Sequence, residues 1–258
     1  MPQSLPPETA ILETQEISLY YEIHGDKANS PVLLISGLGG MGASWHSQIG
    51  LFAEKYCVVL PDQRGTGKSS RTLESYTTVQ LAEDMASLLK HLNLGPVHVV
   101  GSSTGGAIAQ HLAINHPDLV KSLSICSAFA KFDDYTNREF KVRRKMSAEW
   151  DDRVAIYDGI ELFVFSPLFT RENPEFVSDW IRRATSHPPQ PEDYEITLKR
   201  IDMIITHNAL SQLNEITSPT LVLCGELNVC TPLPLSEEIA CAIPGAKLSC
   251  DRKSGRTH

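Results

Sequence analysis

At 258 residues, with 41% hydrophobic and 21% charged residues, the chain has the length and balance of a globular protein with one large domain or a domain carrying an insertion. A formal net charge of −8 leaves no basic stripe to displace counterions from phosphates, which argues against nucleic acid. No apolar run approaches the ~20 residues that span a bilayer, and the opening MPQSLPPETA has neither the charged nor the apolar region of a secretory signal.

In chain order, AILETQEISLYYEIHG (10–25) is rich in β-branched and aromatic residues with a polar break at Gln15 and Glu16, which predicts a hairpin. Short apolar runs follow at 32–36, 57–61 and 97–101, separated by helix-like stretches. In TTVQLAEDMASLLKHLNL (77–94), Leu81, Met85, Leu88, Leu89 and Leu92 share one helical face. A further strand is predicted at 121–127. Strands alternating with helices imply a mostly parallel sheet covered on both faces. From 131 to about 215 the pattern turns all-helical, as in PEFVSDWIRRAT (174–185), before strands resume at 219–225 and 246–250. The expected organisation is a core from 1–130 and 216–258 and a helical cap from 131–215. The basic run REFKVRRK (138–145) reads as a solvated helix face.

Cys57, Cys126 and Cys224 lie inside apolar runs and read as small buried hydrophobes. With no CxxC pair, the expectation is no metal and no redox pair, in a reducing, cytoplasmic setting.

The chemistry concentrates in GSSTGG (101–106), a G-x-S-x-G at a strand-to-helix junction. The turn exposes the Ser103 hydroxyl, and Gly101 and Gly105 remove side chains that would clash across it. Thr104 opens the helix with its N–H toward the space where an oxyanion would form. SGLGG (36–40), after an earlier strand, offers Leu38 N–H as the second donor. GLGGMG (37–42) also fits the dinucleotide-binding spacing, with Asp62 about 20 residues on, and keeps a nicotinamide-dependent oxidoreductase open. A preceding hairpin and the unexplained serine turn weigh against it. GTGKSS (65–70) is not a phosphate loop, because Asp62 stands where glycine is needed.

LLISGLGG, PDQRGTGKSS, VVGSSTGGAIAQHLAINHPD and PTLVLCGE together resemble the α/β-hydrolase superfamily over nearly the whole chain. LISGLGG with DQRGTG looks like the aminoacrylate hydrolase and 3-oxoadipate enol-lactonase branch. The resemblance implies a helical cap and cofactor-free hydrolysis of a small ester, lactone or amide-like substrate through an acyl-enzyme. It puts the nucleophile at Ser103 and the oxyanion donors at Leu38 and Thr104. It puts the orienting acid three residues past the glycine of TLVLCG, which is Asn228, and the base at His258, a couple of residues late. Asn228 brings no negative charge. Glu226 is one substitute acid; Asp133 or Asp134 is another, although helix capping or solvation suits them better. A slow hydrolase, or a hydrolase scaffold that only binds its ligand, is the remaining alternative. His98 and His111 read as structural, and His207 would need the cap to fold inward. The expected partner is a small-molecule substrate, with no nucleic acid and no membrane; a homodimer is an option.

Overall fold

The computed structural model describes residues 7–74, 76–186 and 188–251. Strands β1 (Glu8–Glu13) and β2 (Ser18–His24) pair antiparallel as the expected hairpin. Thr14 closes its turn from both sides, since its hydroxyl donates to the Ile17 carbonyl at 2.9 Å and accepts the Ile17 N–H at 3.0 Å. Then come β3 (Ser30–Ile35), a 3-10 turn at Gly42–Trp45, α1 (His46–Ala53), β4 (Tyr56–Pro61), α2 (Thr78–His91), β5 (Val97–Ser102), α3 (Thr104–Asn115) and β6 (Val120–Cys126). After the helical stretch come β7 (Thr220–Gly225), α9 (Leu233–Ala242) and β8 (Lys247–Asp251).

Among the described residues, eight strands form one sheet in the order β1-β2-β4-β3-β5-β6-β7-β8, parallel from β4 to β8. The central strand β3 is buried on both faces through Val32, Leu33, Leu34 and Ile35, which explains its unbroken apolar run. Helix α2 starts where Thr77 accepts the Gln80 N–H at 3.0 Å, a side-chain cap on an otherwise unpaired donor. It lays Leu81, Met85, Leu88 and Leu89 into the larger core, beside Ile108 and Leu112 of α3. Each such side chain contributes ~1.5–3 kcal/mol through burial. On the opposite face Trp45 and Ile49 of the α1 region pack on Val32, Leu34, Val58 and Leu60.

Among the described residues, five α-helices lie between β6 and β7: α4 (Asp134–Glu149), α5 (Arg153–Val164), α6 (Pro167–Glu172), α7 (Pro174–Thr185) and α8 (Asp193–Ile205). Asp133 N-caps α4 by accepting the Thr136 N–H at 2.8 Å. The entry and exit of this stretch lie side by side, with Ala209 N–H donating to the Ala130 carbonyl at 2.9 Å and Lys131 bridged to Asn208. Two neighbouring anchor points explain how so long a run leaves the sheet undisturbed. The solvated reading of 138–145 holds for one side of α4 only. Arg138, Lys141 and Lys145 are exposed, whereas Glu139, Phe140 and Arg143 are buried.

Candidate active site

Ser103 stands between β5 and α3 at φ +53° and ψ −119°, a conformation sparsely populated for any residue with a Cβ. Local hydrogen bonds hold it there: its N–H donates to the Cys126 carbonyl at 2.9 Å, and its carbonyl accepts the Gly106 N–H at 2.9 Å. Only glycine fits on either side. A Cβ on Gly101 would strike the Gly105 carbonyl oxygen, and one on Gly105 would strike the carbonyl oxygen of Ile35. Thr104, the first residue of α3, lies in a turn whose N–H groups have no carbonyl earlier in the helix to pair with.

The loop after β3 closes against the serine. A Cβ on Gly37 would lie 3.4 Å from the Ser103 Cβ and 3.9 Å from its Oγ, so the Leu38 peptide starts directly beside the hydroxyl. Several ties fix this loop. Gln63 Nε2 donates to the Ser36 carbonyl at 2.7 Å, and Arg200 of α8 donates from Nε to the Leu38 carbonyl at 3.0 Å. Arg200 also donates to Gln63 Oε1 at 2.6 Å and to the Arg64 carbonyl at 3.3 Å. These partners are neutral oxygens, and burial pulls the guanidinium down to about 10, still a cation at neutral pH. Gly40, at φ +71°, leaves the room Arg200 needs: a Cβ there would come within 2.9 Å of Nη2.

A cavity of about 220 Å³ opens on Ser103, with Leu38, Trp45, Phe140, Arg143 and Cys230 among its walls. Behind it sits a buried polar cluster. Arg143 Nη1 lies 3.3 Å from Glu139 Oε1, and the Cys230 thiol donates to the same oxygen at 3.5 Å. Burial pushes the Glu139 carboxyl up to about 7 against the opposing pull of Arg143 and Cys230. Burial likewise pushes the Cys230 thiol up to about 12, so it is a neutral donor and no nucleophile at neutral pH. Among the described residues, Glu139 Oε2 and Arg143 Nε have no hydrogen-bond partner.

Asn228 is buried in the loop after β7. Its Oδ1 accepts the N–H groups of Cys230 at 3.1 Å and Thr231 at 2.9 Å, and its Nδ2 donates to Thr231 Oγ1 at 3.1 Å. Thr231 Oγ1 in turn donates to the Ser127 carbonyl at 2.8 Å, which ties the loop to the end of β6. Two N–H groups converging on one side-chain oxygen are what a carboxylate in this position would use to hold its negative charge. The neighbouring Glu226 is exposed, and its N–H donates to the Asp251 carbonyl at 2.9 Å. The end of β8 therefore lies against the same loop.

A family model described as alpha/beta hydrolase fold matches residues 30–256. The chain is an α/β-hydrolase. The protein named "Putative carbamate hydrolase RutD" of Azorhizobium caulinodans is 31% identical over 241 residues, covering 91% of this hydrolase and 86% of that relative. Among solved structures, the enol-lactonase from Burkholderia xenovorans LB400 superposes with a TM-score of 0.83 at 23% identity, covering 95% of this chain and 92% of the other. That likeness bears on the fold. An esterase from Exiguobacterium antarcticum gives a TM-score of 0.84 at 22% identity, covering 96% and 92%.

In this hydrolase Ser103 and Leu38 share the cavity, with Thr104 next in the chain, while Asn228 lies two residues from the cavity wall at Cys230. His258 lies outside the described residues. Asp133 caps its helix through Oδ1, the role that suits it better than that of a substitute acid. Among the described residues no histidine lines the cavity. His207 Nδ1 is 2.8 Å from Thr78 Oγ1, and burial beside His111 pulls it down to about 3, so it is a neutral structural residue. The nucleotide reading of GLGGMG loses its acid, because buried Asp62 accepts the N–H of Gly42 at 2.8 Å and of Lys68 at 3.0 Å. A carboxylate occupied in this way is not presented to a ribose.

Proposed function

We propose that this α/β-hydrolase acts as a serine hydrolase on a small ester, lactone, carbamate or amide-like substrate. The observation that carries the reading is the strained Ser103, set at a cavity mouth against the Gly37–Leu38 loop. In the reaction, Ser103 Oγ attacks the carbonyl carbon while a base takes its proton. The leaving group departs with that proton, and water then hydrolyses the acyl-enzyme. Leu38 and Thr104 N–H groups stabilise the oxyanion, a role in which one donor contributes ~10²–10³ in kcat. His258 is the base suggested by the likeness to the superfamily. The helices from α4 to α8 act as the cap, and Phe140, Arg143 and Val164 are the residues it brings to the substrate. A cavity of about 220 Å³ suits a substrate below drug size, and the RutD relatives support a heteroatom on the acyl carbon. Arg143, a guanidinium in the wall, favours a substrate with an acceptor oxygen away from the scissile bond.

Asn228 favours a second reading, a hydrolase scaffold that binds its ligand and turns it over slowly. A fluorophosphonate probe separates the two. Rapid labelling that disappears in Ser103→Ala supports the hydrolase. No labelling of the wild-type chain, with ligand binding retained, supports the binding protein.

A further inference from the structure

Glu22, His24 and His46 form a polar cluster on the opposite side of β2 from the larger core. Tyr21 and Ile23 point into that core, so Glu22 and His24 face the other way, alongside Val58 and Leu60 beneath the α1 region. The start of α1 adds His46. His24 Nε2 lies 2.8 Å and His46 Nε2 3.0 Å from the same oxygen, Glu22 Oε2, and the three atoms fall within 4.8 Å of one another. The second carboxylate oxygen is held by the Tyr20 hydroxyl at 3.1 Å, and that hydroxyl accepts from Lys68 Nζ at 3.1 Å. Glu22 and His24 are both mostly covered, while His46 keeps the site open to solvent.

We propose that Glu22, His24 and His46 form a binding site for a divalent transition-metal ion of the zinc class, separate from the active site and independent of the hydrolase reading. Two imidazole nitrogens and one carboxylate oxygen are the donor set that zinc prefers, leaving a fourth position for water. Zinc–nitrogen bonds of about 2.0–2.1 Å put tetrahedral ligand atoms about 3.3 Å apart, so each histidine nitrogen needs to draw back from Glu22 Oε2 by only about 0.3–0.5 Å, while the two nitrogens, within 4.8 Å of one another, settle to a similar separation. Each imidazole would carry its proton on Nδ1, which frees the Nε2 lone pair for the ion. Tyr20 would fix the non-ligating oxygen, as outer partners do in built metal sites. The Lys68 ammonium opposes a cation, but it rests over the Tyr20 ring and not on Glu22. The site would tie β2 to the segment that supplies Ser44, Trp45 and Gln48 to the cavity wall, so the ion would stiffen that wall.

The test uses the tag-free full chain, stripped with a chelator, with Cys241→Ser and Cys250→Ser in place because these cysteines are not fully buried. Zinc is titrated in competition with a chromophoric chelator at neutral pH. The expected result is one ion per chain, a rise in thermal midpoint by mass action, and affinity at least about tenfold weaker in His46→Gln and in His24→Ala. Cobalt in place of zinc should show ligand-field bands without a thiolate charge-transfer band. His46 is exposed, so His46→Gln should keep the fold. No binding by the parent chain, or unchanged affinity and stoichiometry in both histidine variants, would overturn the assignment.

Discussion

The guanidinium of Arg200 reaches from α8 to the carbonyl of Leu38 at 3.0 Å, coupling the helices between β6 and β7 to the loop beside Ser103. Arg200 is buried and bonded to oxygens of Leu38, Gln63 and Arg64. Arg200 is not among the cavity walls, so under the proposed mechanism, with Leu38 N–H as an oxyanion donor, it is a positioning residue. Arg200→Lys keeps the charge but loses the fork of donors. A kcat at least about tenfold lower, with KM changed much less, is expected from steady-state kinetics on an ester substrate, because a displaced oxyanion donor acts on the transition state. Equal losses in kcat and thermal stability, with KM following, would point to simple unfolding.

Asn228 is the next test. Asparagine and aspartate have nearly the same shape, so Asn228→Asp retains the Cys230 and Thr231 N–H bonds to one oxygen. The other oxygen would replace Nδ2 opposite Thr231 Oγ1, which must turn its proton away from the Ser127 carbonyl. That mismatch costs about one hydrogen bond, ~1 kcal/mol. Against it stands the charge that stabilises an imidazolium, worth up to about 10⁴ in kcat in serine-protease precedent. Esterase turnover in Asn228→Asp should rise at least about tenfold with a slightly lower thermal midpoint. An unchanged rate would show that the orienting group lies elsewhere.

Glu139 predicts a pH effect on stability. Its folded-state carboxyl titrates at about 7, above the ordinary 4.5. Between those values the unfolded chain has lost a proton that the folded chain still holds, so this group's contribution is greatest below about pH 4.5 and is lost as pH rises toward 7. The shift corresponds to a loss on the order of 3 kcal/mol over the window. Urea midpoints at pH 5 and pH 8 should fall with pH in the wild type and fall less in Glu139→Gln. Parallel pH slopes in the two proteins would sink the assignment.

The elbow predicts a large and local stability loss. In Gly105→Ala the new methyl meets the carbonyl oxygens of Ile35 and Ser36, backbone atoms that cannot turn aside. Destabilisation above about 3 kcal/mol, far beyond the usual ~1 kcal/mol for a substitution, should appear in denaturant unfolding. Ser103→Ala, which adds no atom, should unfold within about 1 kcal/mol of the wild type.

Much of this fold can be read from the residues. The β1–β2 hairpin, the apolar stripe of α2 and the glycines around Ser103 follow from local patterns that local chemistry enforces. The far side of the cavity does not. Thr136, Glu139, Phe140, Arg143, Met146 and Ser147 are all buried and recur at spacings of three and four on α4, a helical stripe. With Glu139 and Arg143 inside that stripe, the charges mask it as a solvated face. Besides their own ion pair, these two side chains rely on the loop carrying Cys230, and no periodicity reports a loop about ninety residues away. Arg200 is hidden for the same reason, since its partners are carbonyl oxygens set by the tertiary structure.

The contact between Arg200 and Leu38 spans 162 residues of chain. The strands, the elbow turn and the hairpin can all form from nearer neighbours, whereas this contact needs the sheet and the intervening helices in register first. Catalytic competence should therefore be among the last properties to appear on refolding. A newly made chain could carry its full complement of secondary structure and still be inactive until α8 docks.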